Sequence, residues 1–399
     1  MIGSIMDRSV ATQADREAAI RLATMQVNDS KGLDGHLFGV VQCDAAENAD
    51  YDSLKREEAA VADAKYLADV LGVPAIVGPS ASGDAAKVVA EVQAAGVLVI
   101  SPSASSPDLS PNNPTDEAPG LFWRTVSSDK IQGAAISRHL VKTSPTTKNV
   151  VVIDEKGPYG TALADVFSSN FQRDGRTAKT TEFTNGSERD AAIATATTPP
   201  VPFVLFFSSQ TPDTIAFLNA ASNLASYKDT QIFLTDSAAN ADLLKEAAGA
   251  KSVFPRVIGS RPALPTGPTF DLFKTSYSAA FKKDPSALGF APQAYDATWM
   301  VFYGSAYALR QEKALTGMGI SRGLRKISST GAEMPITPAN WTRIADAIGA
   351  GNPVNIDGAS GKLDYDAKQE TTNPIDIWKI SADGQSIESV TQIDTSQPP

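Results

Sequence analysis

The chain has 399 residues, 42% apolar and 20% charged, enough for two or three domains with real cores. Lys and Arg number 35 against 45 Asp and Glu, a formal net charge of −10, which disfavours nucleic acid and anionic membrane as partners. The single cysteine, Cys43, excludes an internal disulfide and disfavours a cysteine-based zinc or iron–sulfur site, while fitting the cytosol and an exported protein equally.

No apolar run approaches the ~20 residues of a membrane helix. The opening MIGSIM reads as a first strand rather than a secretory leader. A helix over 15–27 follows, with Ala19, Leu22, Ala23 and Gln26 at helical spacing. HLFGVVQCD (36–44) reads as a second strand, and 53–71 as a helix striped by Ala60, Ala64, Leu67 and Leu71. PAIVG (74–78) is a third strand, then a helix from Asp84 ending at Gly96, then VLVIS (97–101). The strands are continuous apolar runs, which points to a parallel sheet covered on both faces. After a turn-rich stretch (102–120) the rhythm restarts with NVVVID (149–154), FVLFF (203–207), QIFLTD (231–236) and VFPRVIGS (253–260), with helices between them. From 268 the chain is mostly helical, and the tail from 354 reads as strands and turns. The pattern predicts an α/β protein of two doubly wound, Rossmann-like lobes joined by three crossings. We expect residues 1–126 with 257–354 in one lobe, 127–256 with 355–399 in the other, and the ligand in the cleft between them.

Catalytic patterns are absent. The two histidines, His36 and His139, have no partner at metal-ligand spacing. GMGISRG (317–323) has the wrong spacing for a dinucleotide fingerprint, and GASGK (358–362) is too short for a phosphate loop. Sequons at Asn28, Asn185 and Asn340 carry little weight. We therefore expect no catalytic residue, no metal and no cofactor.

Two strand ends carry matching chemistry: GPSASG after the third strand and SPSASSP after the fourth. Ligands of open parallel sheets sit beyond the carboxyl ends of the strands. Ser80, Ser82, Ser103 and Ser105, with the backbone at Ala104, are placed to hold a carboxylate through neutral donors. The competing reading is that these serines only cap helices and make turns.

At these residues the chain resembles the type I periplasmic binding proteins, and more narrowly the Leu/Ile/Val-binding proteins of ABC transporters. The likeness runs from VGPSASGDAAKVVAEVQAAGVLVISPSASSPDLS through FWRTVSSDKIQGAAISRHL, NVVVIDEKGPYGTALADVF and APQAYDATWMVFYGSAYAL to DGASGKLDYD. It implies lobe closure on a small amino acid or related carboxylate, ABC permease subunits as partners, a monomer, and a periplasmic or otherwise extracytoplasmic location, free or lipid-anchored. It further implies that Ser82, Ser103 and Ser105 hold the α-carboxylate, that Tyr159 closes over the ligand, and that Asp236 binds the ammonium. On the bland reading Tyr159 is a turn aromatic and Asp236 a helix N-cap. The first loop departs from the family pattern: Asp7, Arg8 and Gln13 stand where a Ser-Gly turn and an aromatic are usual. Arg8 either binds an anionic ligand group or pairs with Asp7, the latter being favoured, and Gln210 in SSQTPD offers a polar contact. A sensing module of the same fold is the alternative function; an α/β enzyme is the least supported.

Overall fold

The computed structural model describes residues 1–47 and 53–395. The chain divides into two compact units. Unit 1 comprises Met1–Ser105, Leu109–Ser127 and Leu264–Thr372; unit 2 comprises Ser106–Asp108, Ser128–Ala263 and Asn373–Pro399.

Unit 1 is built on a five-stranded, all-parallel sheet. Its spatial order is Val40–Asp44, Ile2–Met6, Ala75–Val77, Leu98–Ser101, Phe122–Arg124. Alternate residues serve two cores. Ile2, Met6, Ala75, Val77, Leu98, Ile100 and Trp123 pack with the helices Ala11–Asp29, Pro268–Phe281, Ala291–Tyr307 and Trp341–Gly349. Ile5, Ile76, Val99 and Phe122 pack on the other face with Arg56–Lys65 and Ser82–Val92. Burial on both faces is why these strands lack a polar/apolar alternation. The order reverses direction at Ile2–Met6, so the ends of this strand and of Ala75–Val77 flank a topological switch point.

Unit 2 holds a seven-stranded sheet in the order Ile387–Ile393, Ile375–Ile380, Val257–Pro262, Gln231–Leu234, Phe203–Phe207, Asn149–Glu155, Thr177–Phe183. The last five are parallel, and the C-terminal hairpin adds two antiparallel strands. One face buries Val151, Ile153, Phe206 and Leu234, the other Val152, Leu205, Phe207 and Phe233. Phe206 and Phe217 stack with centroids 4.5 Å apart, fixing the helix Thr211–Asn223 against the sheet.

The expected boundaries move in several places; Ser127 falls in unit 1 and Ser106–Asp108 in unit 2. Residues 257–263 lie in unit 2, because Val257–Pro262 is laddered between Gln231–Leu234 and Ile375–Ile380. Residues 355–372 lie in unit 1, because Asn355–Gly358 pairs with Glu333–Pro335 and the next two residues bind a unit 1 helix. That binding explains GASGK: the amides of Ala359 and Ser360 donate to the buried Asp296 carboxylate at 2.9 and 2.7 Å, and the Ser360 hydroxyl adds a third bond at 2.6 Å. An internal carboxylate occupies the amide cradle. The second strand is Val40–Asp44, shorter than the expected 36–44, and the 53–71 helix is Arg56–Lys65 continued by a π-turn segment Tyr66–Val70. The three sequon asparagines have local roles: Asn28 bonds the Phe38 backbone, Asn185 caps a helix, and Asn340 donates to Pro335.

Candidate functional site

In unit 1 the carboxyl strand ends meet as expected. Ala75–Val77 runs into Gly78, whose φ of 102° and approach to the Ile5 carbonyl exclude a side chain; an added Cβ would lie 2.3 Å from that oxygen. The turn this permits sets Ser80 and Ser82 at the switch point. Ser80, Ser82, Ala104 and Ser105 are buried and Ser103 is half-buried.

Several of these groups are engaged within the unit. The Ser80 hydroxyl meets the Met6 sulfur at 3.2 Å, and the Ser103 hydroxyl donates to the Ser80 carbonyl at 2.9 Å. The Ala104 amide donates to Ser101 Oγ at 2.9 Å, so this backbone donor is held by the turn. Ser101 Oγ itself donates to the Pro79 carbonyl at 2.5 Å, tying the two serine-rich ends together. The turn-making role thus falls to Ser101, a serine outside the expected four. The helix Ser82–Val92 starts from Ala81 without a side-chain cap, so Ser82 is the first helical residue and not the N-cap.

The expectation of a cradle free of cations is corrected. Arg16 lies 8% exposed, its Nη1 donating to Ser103 Oγ at 3.2 Å and its Nε to the Gly289 carbonyl at 3.0 Å. Its guanidinium carbon sits 5.0 Å from the centroid of the Phe290 ring. The sequence carried a signal for it: Arg16 falls on the same helical stripe as Ala19, Ile20, Ala23 and Val27, all buried. A cation in register with an apolar stripe has a reason to be there.

The first-loop residues stay local. Arg8 does not pair with Asp7; its Nε donates to Glu17 at 2.8 Å, and this bond raises its pKa. Asp7 instead accepts from the Ser9 amide and hydroxyl, while Gln13 Oε1 accepts from the Asp7 amide at 2.9 Å. Arg8 and Gln13 therefore shape the turn that leads into Ala11–Asp29, the helix that carries Arg16.

In unit 2 the site gathers around Asp236, the residue after Thr235 at the end of Gln231–Leu234. Its Oδ1 accepts from the Tyr159 hydroxyl at 2.8 Å and from Gln132 Nε2 at 2.9 Å; Gln132 Nε2 also reaches Ser260 Oγ at 3.2 Å. Tyr159 is buried, and burial, followed by the charges of Asp236 and Asp129, lifts its pKa well above that of a free phenol. The phenol therefore remains a donor, and it orients the carboxylate. Asp236 is half-buried, and a second acid, Asp129, fully buried at the start of the helix Asp129–Thr143, also acts on Tyr159. As for the capping reading, Asp236 opens a single 3-10 turn, and the next helix, Ala241–Glu246, is capped by Asn240.

Gln132 and Ser260 were missed. Gln132 lies on the buried stripe of its helix with Ala135, Ile136 and Leu140, the same kind of signal as Arg16. Gln210 does not join Asp236 in any hydrogen bond described within the unit. Its amide donates to Ser208 Oγ at 3.0 Å and its side chain to Ser209 Oγ at 2.8 Å, in a loop fastened to Glu155.

The groups expected to be inert have physical grounds for it. His36 is exposed and His139 lies beside Phe233, with burial lowering its pKa. Burial pushes the Cys43 thiol up to about 12, so it stays protonated. Among the described residues no group of His, Cys, Asp and Glu is placed to hold a metal ion, and no helix is long and apolar enough to cross a membrane.

Paired α/β units with polar side chains gathered at parallel strand ends define a type I periplasmic binding protein fold. The chain belongs to the family described as the receptor family ligand binding region, which matches residues 15–383. Among relatives, BraC3, a Leu/Ile/Val-binding protein of Rhizobium johnstonii, is 28% identical over 36% of this chain and 37% of its own length. The leucine-, isoleucine-, valine-, threonine- and alanine-binding protein of Pseudomonas aeruginosa is 25% identical over 74% of each chain. The chemotactic signal transduction substrate-binding protein BasB of Halobacterium salinarum is 23% identical over 94% of this chain and 84% of its own. A leucine binding protein, LivK, from Thermotoga maritima superposes with a TM-score of 0.74 at 18% identity, covering 98% of both chains.

Proposed function

We propose that the protein is the extracytoplasmic substrate-binding component of an ABC transporter, and that it captures an amino acid or related small carboxylate without changing it chemically. The observation that carries this reading is the Tyr159–Asp236–Gln132 arrangement, a half-buried carboxylate held by two neutral donors at a strand end. A desolvated ammonium needs such a counter-charge, whereas nothing in the arrangement attacks or transfers a proton to a substrate. The serine-rich ends of unit 1 supply donors for the other pole of a zwitterion. Amino-acid binding by the Pseudomonas relative, which matches three-quarters of the chain, supports the same substrate class. On this reading the units close on the ligand as a hinge, and the permease recognises the closed, monomeric form.

The test is calorimetric titration of protein stripped of ligand by unfolding and refolding, with L-leucine, L-isoleucine, L-valine, L-threonine and L-alanine. Saturable 1:1 binding of at least one is expected; silence from all five removes the amino-acid reading. A second reading has one specific support, the match to BasB over 94% of the chain: the protein delivers the same ligand signal to a sensory partner. Transport by the reconstituted permease with this protein, set against activation of a chemotaxis receptor, separates the two.

A further inference from the structure

We propose that the last crossing between the units flexes only at residues 372–374, because a buried ion pair clamps the chain at each end of that stretch, one pair in each unit. The inference rests on the reading above, that the units move as a hinge. Three observations carry it. On the unit 1 side, Arg124 is 1% exposed and donates to Glu370 from Nε at 3.0 Å and from Nη2 at 2.6 Å. Its Nη2 also donates to Ser110 Oγ at 3.0 Å and its Nη1 to the Ala104 carbonyl at 3.4 Å. The chain changes unit after Ser105, Asp108, Ser127, Ala263 and Thr372. One guanidinium therefore gathers unit 1 residues that lie within three positions of four of those five boundaries. On the unit 2 side, Arg261 and Asp376 are cross-strand partners, and Arg261 Nε donates to Asp376 at 3.0 Å. Asp376 is 1% exposed and takes a further bond from the Ser389 hydroxyl. Between the two pairs, Thr371 and Ile375 are each 1% exposed, whereas Thr372 and Pro374 are exposed and lie in no helix or strand.

The mechanics follow from the chemistry. A buried ion pair adds little net stability over apolar packing, but parting it strands a charge, so the segments it joins do not shear. The planar fork of an arginine also fixes orientation. The chain bends where no such pair holds it, and hinges are a few residues that absorb the change in φ and ψ. Pro374 fixes its own φ and disfavours the α region at Asn373, so the stretch turns about few dihedrals. That gives the motion a direction instead of a loose tether.

The experiment puts spin labels on two exposed positions, one in each unit, through Asp69→Cys and Lys179→Cys with Cys43→Ser. Double electron–electron resonance then reads the distance distribution of the full chain, without ligand and with L-leucine, L-isoleucine, L-valine, L-threonine or L-alanine. The variants are Glu370→Gln, Asp376→Asn and Pro374→Gly. Without ligand, each should give a distribution at least about 1.4-fold wider than wild type, the spread of a harmonic motion that has lost half its restraint. Where Glu370→Gln does not fold, Ser110→Ala takes its place; it removes one bond from each partner and strands no charge. Ion pairs that only stabilise their own units would lower the melting temperature and leave the width unchanged, which overturns the inference. A Pro374→Gly width equal to that of wild type overturns it too. If a bound amino acid shifts the mean distance in wild type while the variants keep its width, the closure reading stands and the inference falls. If the variants widen and no bound amino acid shifts the mean, the inference stands and the closure reading falls. If none of the five binds, the unliganded widths decide the inference by themselves.

Discussion

Replacing Asp236 with Asn keeps the side chain's size and an oxygen for Tyr159 and Gln132, now 2.8 and 2.9 Å away, while removing the charge. An ammonium about 4 Å from a carboxylate is worth ~4 kcal/mol at an effective dielectric near 20, and breaking a buried ion pair costs ~3–5 kcal/mol. With that oxygen held by Tyr159 and Gln132, an amide NH2 stands in place of Oδ2 and cannot accept from the ammonium, so we expect a loss of at least about 3 kcal/mol, a Kd at least roughly 100-fold weaker. The free protein should lose little, because the asparagine oxygen keeps the Tyr159 and Gln132 donors. The assay is calorimetric titration with L-leucine beside thermal melting of the unliganded variant. Binding within about threefold of wild type, with the fold intact, would refute the role given to Asp236.

Other outcomes follow from the same structure. Glu370 binds the fully buried Arg124 through two oxygens, at 2.6 and 3.0 Å, so Glu370→Ala strands a buried charge and should cost ~3–5 kcal/mol, read as a lower melting temperature. Asp154 is 1% exposed, and burial, then Glu182 and Asp165, raise its pKa to about 7. A raised carboxylate pKa gives stability that is full below the unfolded value and lost as pH climbs through about 7, so Asp154→Asn should gain ~2–4 kcal/mol over wild type near pH 8 and little near pH 4; an equal difference at both would contradict this. Tyr159→Phe removes a donor but no charge and should weaken L-leucine binding only about threefold to tenfold, well short of Asp236→Asn.

The fold was largely legible because its central strands are buried on both faces: runs such as AIV, LVIS and FVLFF have no other reading. Thr177–Phe183 escaped notice because it is an edge strand; TAKTTEF exposes most of its residues and carries little apolar signal. The boundaries at 257 and 355 slipped for a related reason. VIGSRP and NIDG fit either sheet by pattern, and only pairing partners decide between them. At the candidate site, Ser103, Tyr159 and Asp236 are candidates because strand ends are visible in sequence and their motifs resemble those of the family; their ligand roles belong to the proposed reading. Arg16 and Gln132 are seen only through helical register, as polar residues on buried stripes. Arg8 lies in the first loop and Gln13 in the first turn of Ala11–Asp29, and their bonds to Glu17 and the Asp7 amide depend on turn geometry that no periodicity encodes.

The central claim is that one small ligand is recognised by an anion site and a cation site at once. The most direct measurement is titration of the stripped protein with its best amino acid, that amino acid's amide and its N-acetyl derivative. The account predicts tight 1:1 binding of the parent and a loss of at least about 100-fold for each derivative, since each leaves one buried charge without its counterpart. Equal binding of either derivative would contradict it.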